Sequence, residues 1–400
     1  MSKLPTGWQS CGINEIARIV SGATPKTETP GYWDGDILWA TPKDLGQLSK
    51  IELSDTERKI SKAGYDSCST TLLPIGSVLL TSRAPIGHLA INSKPMCTNQ
   101  GFKSLIPNDR IENRYLYWVL KKYVPELQNM GRGCTFDEIS KRQVESFQIP
   151  IPPLEEQRRI VSRIEELTCR ADEARRLRKQ AVDEADTQLF HVRRKLFEAL
   201  STECKTVPLN KCGTVIGGGT PSKLRHDYWV GNIPWISAKE MKEFLLIDSE
   251  LKISQEALKE SSAKLIPTES VLFVVRGSIL YRHVPVAINA MPCTINQDMK
   301  AILPNKGILP YFLAHMMLGA NDILKDMVEV AGNTAGKLET SRWSALKIPV
   351  PEQKKQRQIV EQLGRYQDKL TELHRLQFET ESELKCFTPA LLNKAFRGEL

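Results

Sequence analysis

The chain has 400 residues, 41% of them hydrophobic and 26% charged, which is too long for one ordinary domain and globular in composition. These values exclude low-complexity disorder and collagen, and the longest apolar runs, Val78–Leu80 and 271–275, are strand-sized rather than membrane-sized. Fifty-five Lys and Arg against 47 Asp and Glu leave a net charge of +8, which permits a nucleic-acid partner without requiring one.

The N-terminus, MSKLPTGWQS, has no apolar segment behind Lys3, which argues against a signal peptide. Apolar runs bounded by turn residues predict strands at 37–40, 77–81, 88–91 and 102–106. The spacing of Tyr115, Leu116, Val119 and Leu120 predicts a short helix over 114–124. Ile149, Pro150, Ile151, Pro152 and Pro153 form an extended stop. From 154 to about 198 there is neither Pro nor Gly, and apolar residues recur every three or four positions from Ile160 through Leu167, Leu177 and Leu189 to Leu196. That spacing predicts a long amphipathic helix, with Glu155 and Glu156 at its positive end and Arg193, Arg194 and Lys195 at its negative end.

The pattern then starts again. Thr24, Pro25, Trp33, Trp39 and Lys43 recur 196 residues later as Thr220, Pro221, Trp229, Trp235 and Lys239. Ser77 and Arg83 recur as Ser270 and Arg276, and Asn99, Gln100 and Lys103 as Asn296, Gln297 and Lys300. Ile149 and Gln157 recur as Ile348 and Gln356, and Phe197 as Phe396, at a constant offset of 199. A drifting offset suits loop insertions, and a constant one suits a helix. The second helical stretch carries Ile359, Leu363, Tyr366, Leu370, Leu373, Leu376, Leu384, Phe387 and Leu391, but Gly364 and Pro389 weaken it, and a kink or fray is expected near Pro389. A helix of about 45 residues is ~65 Å long, longer than one small domain, so the two stripes are expected to pack on each other rather than on their own domains.

Catalytic motifs are sparse. The sequence has no HExxH, no Walker lysine loop and no GxSxG elbow. Gly217, Gly218 and Gly219 read as a flexible turn, and His88 and His283 as structural histidines. Asp227, Glu240 and Lys242 have the spacing of a metal-dependent nuclease, but the first copy has Gly31, Asp44 and Gly46 there, so chance suffices. Nine scattered Cys without a CxxC pair suggest reduced thiols and a cytoplasmic chain. The cations shared by the copies are Lys43 and Lys239, Arg83 and Arg276, and Lys103 and Lys300. Loop-borne Arg can reach base edges or phosphates, or can instead pin its own loop. The glycine-bearing loops around 131–135 and 332–337 allow close backbone approach to phosphate, or are plain turns. The DNA-binding candidates are therefore these six cations with Thr24, Lys26, Ser82, Arg132, Thr135, Thr220, Ser222, Lys223 and Lys337.

The frame TP…YW…W…K followed by SVLLTSRAPIG, TNQGFKSLIP, GCTFDEIS and IPIPPLEEQRRIV resembles the specificity subunit of type I restriction–modification systems. GGGTPS, WISAKE, SVLFVVRG, INQDMKAILP and KIPVPEQKKQRQIV repeat the match, so the resemblance covers essentially the whole chain. It implies an α+β chain with two repeated mixed α/β target recognition domains, 1–153 and 201–352, separated by two long antiparallel coiled-coil helices, 154–200 and 353–400. Each domain would read one half of a split double-stranded DNA site. The subunit would be non-catalytic and without a cofactor of its own. It would bind two modification subunits that carry S-adenosylmethionine and methylate adenine, with restriction subunits joining through the complex and no membrane involved. Adenine methylation needs a flipped base and a cofactor pocket, usually with an Asn/Asp-Pro-Pro-aromatic loop, whereas Pro152 and Pro153 lie between Ile151 and Leu154. The competing readings are a self-contained nuclease or methyltransferase, and a coiled-coil scaffold with no DNA role.

Overall fold

The computed structural model describes residues 4–83, 85–131, 137–331 and 335–400. The chain forms two compact units, Met1–Leu177 with Glu379–Leu400, and Arg178–Phe378. Each contains one copy of the repeat, and each takes part of both long helices.

In the first unit a five-stranded sheet runs in the order Ala17–Ser21, Lys103–Pro107, Val78–Leu80, Leu89–Asn92, Glu52–Leu53. The pairs are antiparallel except the last, which is parallel. Val78 faces Ile91 on one side and Leu105 on the other. The central strand is buried throughout, which is why it reads as an unbroken apolar run. Its side chains alternate: Val78 and Leu80 join the core under helix Asn113–Lys122, and Leu79 joins Leu38, Ala40, Met96 and Phe102 on the other face. Glu112 caps that helix by accepting from the Tyr115 amide at 2.8 Å. A three-stranded sheet, Lys59–Ile60, Trp33–Ala40, Cys97–Thr98, stands beside it. The strand Gln9–Gly12 pairs antiparallel with Gln148–Ile151, bringing the two ends of the domain together before the long helix begins.

The second unit repeats this order. Its five strands are Gly213–Gly217, Met299–Pro304, Val271–Val274, Val286–Asn289 and Leu245–Leu246, and its three are Leu251–Ile253, Ile233–Ile236 and Thr294–Ile295. It adds a sheet of Arg276–Gly277, Ala335–Leu338 and Val328–Ala331. In the first unit a lone bridge between Arg83 and Glu138 stands at the corresponding place.

The first long helix spans Leu154–Glu203 and the second Gln353–Ala395. Within the first unit they run antiparallel, the Arg159 guanidinium donating to the Leu400 carbonyl and Arg175 to the Leu384 carbonyl, at 2.7 and 2.6 Å. Within the second unit Glu203 meets Lys355, Arg193 meets Gln367 and Asp186 meets His374, again antiparallel. The stripes pack on each other and also on the globular cores. Ile160, Val161, Ile164, Leu391, Leu392 and Phe396 share one core with Tyr115 and Leu116, and Phe197, Leu200, Ile359 and Leu363 share another with Phe312 and Met316. Leu177, Tyr366 and Leu376, expected inside the stripes, are about half exposed. The helix continues through Pro389 instead of fraying, because the turns that follow bury Leu391, Leu392 and Ala395.

The glutamine in each repeated EQ motif has a structural task. Gln157 Nε2 donates to the carbonyls of Pro152 and Arg110, while its Oε1 accepts from the Glu112 amide. Gln356 does the same with Pro351, Gly307 and Leu309. Both side chains are fully buried and clasp the first turn of a long helix to its domain.

Candidate nucleic-acid interface

Two indoles in each copy hold the Thr-Pro loop. Trp39 Nε1 donates to the Ala23 carbonyl at 3.0 Å and Trp33 Nε1 to that of Lys26 at 3.3 Å. Trp235 and Trp229 repeat these bonds to Gly219 and Ser222, at 3.0 and 3.2 Å. The rings of each pair meet edge to face at 5.0 Å. The loop backbone lies so close to the neighbouring strand that a Cβ on Gly22 would stand 2.0 Å from the Asn99 carbonyl, and one on Gly218 1.9 Å from that of Asn296. Gly218 is therefore a close-approach residue, and the expected flexible turn at Gly217, Gly218 and Gly219 is instead a packed strand exit.

The loop threonines, Thr24 and Thr220, are half-buried and donate their hydroxyls to Gln100 and Gln297. Those glutamines sit in turns anchored by Asn99, whose amide bonds the Ala40 carbonyl, and Asn296, whose amide bonds that of Ile236. Immediately after Ala40 and Ile236 the chain enters the short helix Pro42–Gly46 and the single turn Ala238–Glu240, which carry Lys43 and Lys239. Both lysines are exposed. Lys43 pairs with Glu57 at 2.7 Å, and among the described residues Lys239 has no carboxylate partner. Lys26, Ser222 and Lys223 are exposed on the Thr-Pro loops.

The arginine turns close the same corner. The Ser82 amide bonds the Gly101 carbonyl at 2.8 Å, next to Gln100, and the Arg276 amide bonds the Asp298 carbonyl at 3.2 Å, next to Gln297. Arg83 is half-buried opposite Glu138, with no carboxylate on its guanidinium among the described residues. Arg276 is exposed and pairs in register with Lys337, whose ammonium meets Glu339. Lys300 is half-buried opposite Gly217.

Two candidates lie inside the protein. Ser82 is fully buried, and Lys103 is buried with its ammonium 3.6 Å from the Glu138 carboxylate and 3.5 Å from the Ser82 hydroxyl. A buried ammonium needs such partners, so this lysine props the arginine turn from beneath. Arg132, Thr135 and most of the two glycine-bearing loops, including 332–334, lie outside the described residues. Gln100 and Gln297 were absent from the sequence-derived candidates, although their recurrence was visible.

The nuclease-like spacing dissolves in the structure. Asp227 is held bidentate by Arg225, with bonds of 2.9 and 2.6 Å. Glu240 accepts from the amides of Ser237 and Glu250, each at 2.8 Å. Asp44 does the same in the first copy with Thr41 and Glu57, so the shared acid is a cap. Among the described residues no group of three or more His, Cys, Asp or Glu is placed to hold a metal ion.

A doubled α+β fold that presents the same indole-held loop, glutamine turn and arginine at the same corner of each copy defines a protein of paired recognition modules. A family model described as the type I restriction modification DNA specificity domain matches residues 5–181 and 202–381. The MjaIX specificity subunit of Methanocaldococcus jannaschii is 32% identical over 300 residues, 70% of this chain and 68% of that one. The EcoR124I/EcoR124II specificity subunit of Escherichia coli is 38% identical over 215 residues, covering 53% and 51%. Two solved chains share the fold over the whole of this one. The first, from work on complex assembly and conformational transition of the type I R-M system, has a TM-score of 0.75 at 23% identity and is itself covered completely. The other, the HsdS subunit of Thermoanaerobacter tengcongensis, has a TM-score of 0.59 at 21% identity and is covered to 98%. The chain belongs to the family of type I restriction–modification specificity subunits, whose part is DNA sequence specificity and which are non-catalytic. No described helix is long and apolar enough to cross a membrane.

Proposed function

We propose that this chain reads an asymmetric, bipartite site on double-stranded DNA, one half-site per copy, with target recognition domains over 1–153 and 201–352 and spacer helices over 154–200 and 353–400. It scaffolds two modification subunits, which carry S-adenosylmethionine, and through that complex the restriction subunits, in the cytoplasm. The observation that carries the reading is the repeated corner on which Arg83 faces Glu138 in one copy and Arg276 faces Lys337 in the other. One frame with two sets of side chains fits two different half-sites, because base edges are told apart by donor and acceptor pattern. The DNA candidates on exposed or half-buried surface are Thr24, Lys26, Lys43, Arg83, Thr220, Ser222, Lys223, Lys239, Arg276, Lys300 and Lys337.

The test is to express the chain with its modification subunits and sequence the methylated adenines. A split motif with unlike halves is expected, and exchanging residues 1–153 for another family member's first domain should change one half only. A palindromic motif, or a change in both halves, would overturn the reading.

A further inference from the structure

We infer that Gln100 and Gln297 are base-reading residues, each recognising an adenine at the corresponding position of its half-site. The inference rests on the DNA-reading function proposed above and assigns it a shared chemical element.

The two glutamines are exposed at the tips of turns that the rest of the sequence makes rigid. In the first copy Asn99 does the structural work. Its amide bonds the Ala40 carbonyl at 3.0 Å, its Oδ1 accepts from the Gly101 amide at 2.9 Å, and its carbonyl accepts from Phe102 at 3.3 Å. In the second copy the Asn296 amide bonds Ile236, its carbonyl accepts from Met299, and its Nδ2 donates to Asp298 Oδ2, at 3.0, 3.2 and 3.1 Å. The glutamine beside each asparagine is thereby released from holding the turn.

It is nevertheless held. The threonine hydroxyl of the Thr-Pro loop donates to the glutamine Oε1 in both copies, and that loop is itself clamped by Trp33 and Trp39, or by Trp229 and Trp235. An exposed neutral hydrogen bond adds little to stability, while fixing a glutamine side chain costs up to ~2 kcal/mol of rotamer freedom. A purely structural account therefore leaves the doubled arrangement unexplained. A recognition account does explain it, because pre-paid ordering of a contact residue raises affinity.

The orientation selects the ligand. With one lone pair of Oε1 taken by threonine, the amide still offers a second lone pair and, on Nε2, two N–H donors with no partner among the described residues. That donor–acceptor fork matches adenine in the major groove, whose N7 accepts and whose N6 donates, whereas guanine presents two acceptors. The neighbouring arginines, joined to the same turns through Gly101 and Asp298, supply the charge that brings a duplex to this corner. The side chains opposite those arginines differ, Glu138 against Lys337, but the Thr–Gln module does not. The half-sites should then differ at most positions and share an adenine at one.

The test uses the chain assembled with its modification subunits and DNA duplexes carrying every single base substitution in both half-sites. Wild-type complex that binds all duplexes alike would overturn the DNA-reading function itself. If wild type is selective, Gln100→Ala should lose about 5- to 150-fold of discrimination at one adenine of the first half-site, and Gln297→Ala the same in the second. Gln100→Glu, now all acceptor, should shift that position toward cytosine. Thermal midpoints should be unchanged, since both residues are exposed. Alanine variants that keep wild-type base preference, that weaken binding to all duplexes uniformly, or that relax a position where wild type takes another base would overturn the inference.

Discussion

Arg276 stands exposed just past the strand Val271–Val274, its backbone anchored on Asp298 and its guanidinium without a carboxylate partner among the described residues. If it forks onto a base edge, Arg276→Ala should cost roughly 1–3 kcal/mol and relax one position of the second half-site. Arg83→Ala should do so in the first. Binding titrations across substituted duplexes at several salt concentrations check this, because a phosphate contact would instead weaken all duplexes alike and flatten the salt slope. A different residue-scale consequence comes from the interior of the second unit. His315 is buried, stacks on Phe244 and accepts at Nδ1 from the Arg193 guanidinium at 3.2 Å. Burial, and then the charge of Arg193, hold the His315 imidazole well below the usual histidine range. Burial likewise pulls Arg193 down to about 10. The unfolded chain therefore binds a proton at His315 below about pH 6.5 that the folded chain refuses. The stability this contributes is present above that pH and is lost as pH falls below it. Thermal midpoints should drop between pH 7 and 5, and less so in His315→Asn, whose side-chain oxygen keeps an acceptor for Arg193 without titrating. Equal pH slopes would contradict this.

The elements that carry most of the architecture are the long helices, and each is fixed at its beginning by a buried glutamine and at its far end by apolar packing. At the end of the second helix Phe396 is 2% exposed and meets the Tyr115 ring edge to face, with centroids 5.4 Å apart. Its loss would leave a cavity in the first unit's core, so Phe396→Ala should destabilise that unit by about 3–5 kcal/mol. Denaturant unfolding followed by fluorescence, with Trp118 in the same core as a reporter, measures this. A change under ~1 kcal/mol would mean that the C-terminal turns fold without support from the domain. The same docking explains why Pro389 does not end the helix. The hydrogen bond that proline forfeits is offset by the burial of Leu391, Leu392 and Ala395 one turn on.

For the whole molecule, the helices are proposed to set the distance between the two reading corners. Four residues lengthen a helix by ~6 Å and roughly preserve its apolar stripe. At ~3.4 Å per base pair, a four-residue insertion should widen the unspecified spacer of the methylated motif by about one or two base pairs and leave both half-sites unchanged. A two-residue insertion turns the stripe by roughly 200° and should impair assembly. Methylated-adenine motifs in cells carrying each variant with its partner subunits decide the matter. A folded, active four-residue variant with an unchanged spacer would leave the helices as docking surface alone.

The repeat, the two long helices and the short strands were legible in the sequence because each rests on local spacing. Apolar residues every three or four positions make a helical face wherever the chain lies, and 77–81 was apolar enough to be read as a strand before its neighbours were known. The doubled motifs already resemble the specificity-subunit family to which the chain belongs. What a given side chain does at the candidate interface was not legible. Lys103 and Lys43 look alike in the sequence, yet one is buried beside Glu138 and the other is exposed beside Glu57. Asp44 and Glu240 resemble metal ligands until their backbone partners are seen. The Trp-clamped loop, and the glutamine it orients, join residues up to 77 positions apart. Helical and strand periodicity is a property of neighbouring residues, and so it is written in the chain. Burial, ion pairing and the aim of a polar group depend on what distant segments bring alongside, and only the folded arrangement decides them.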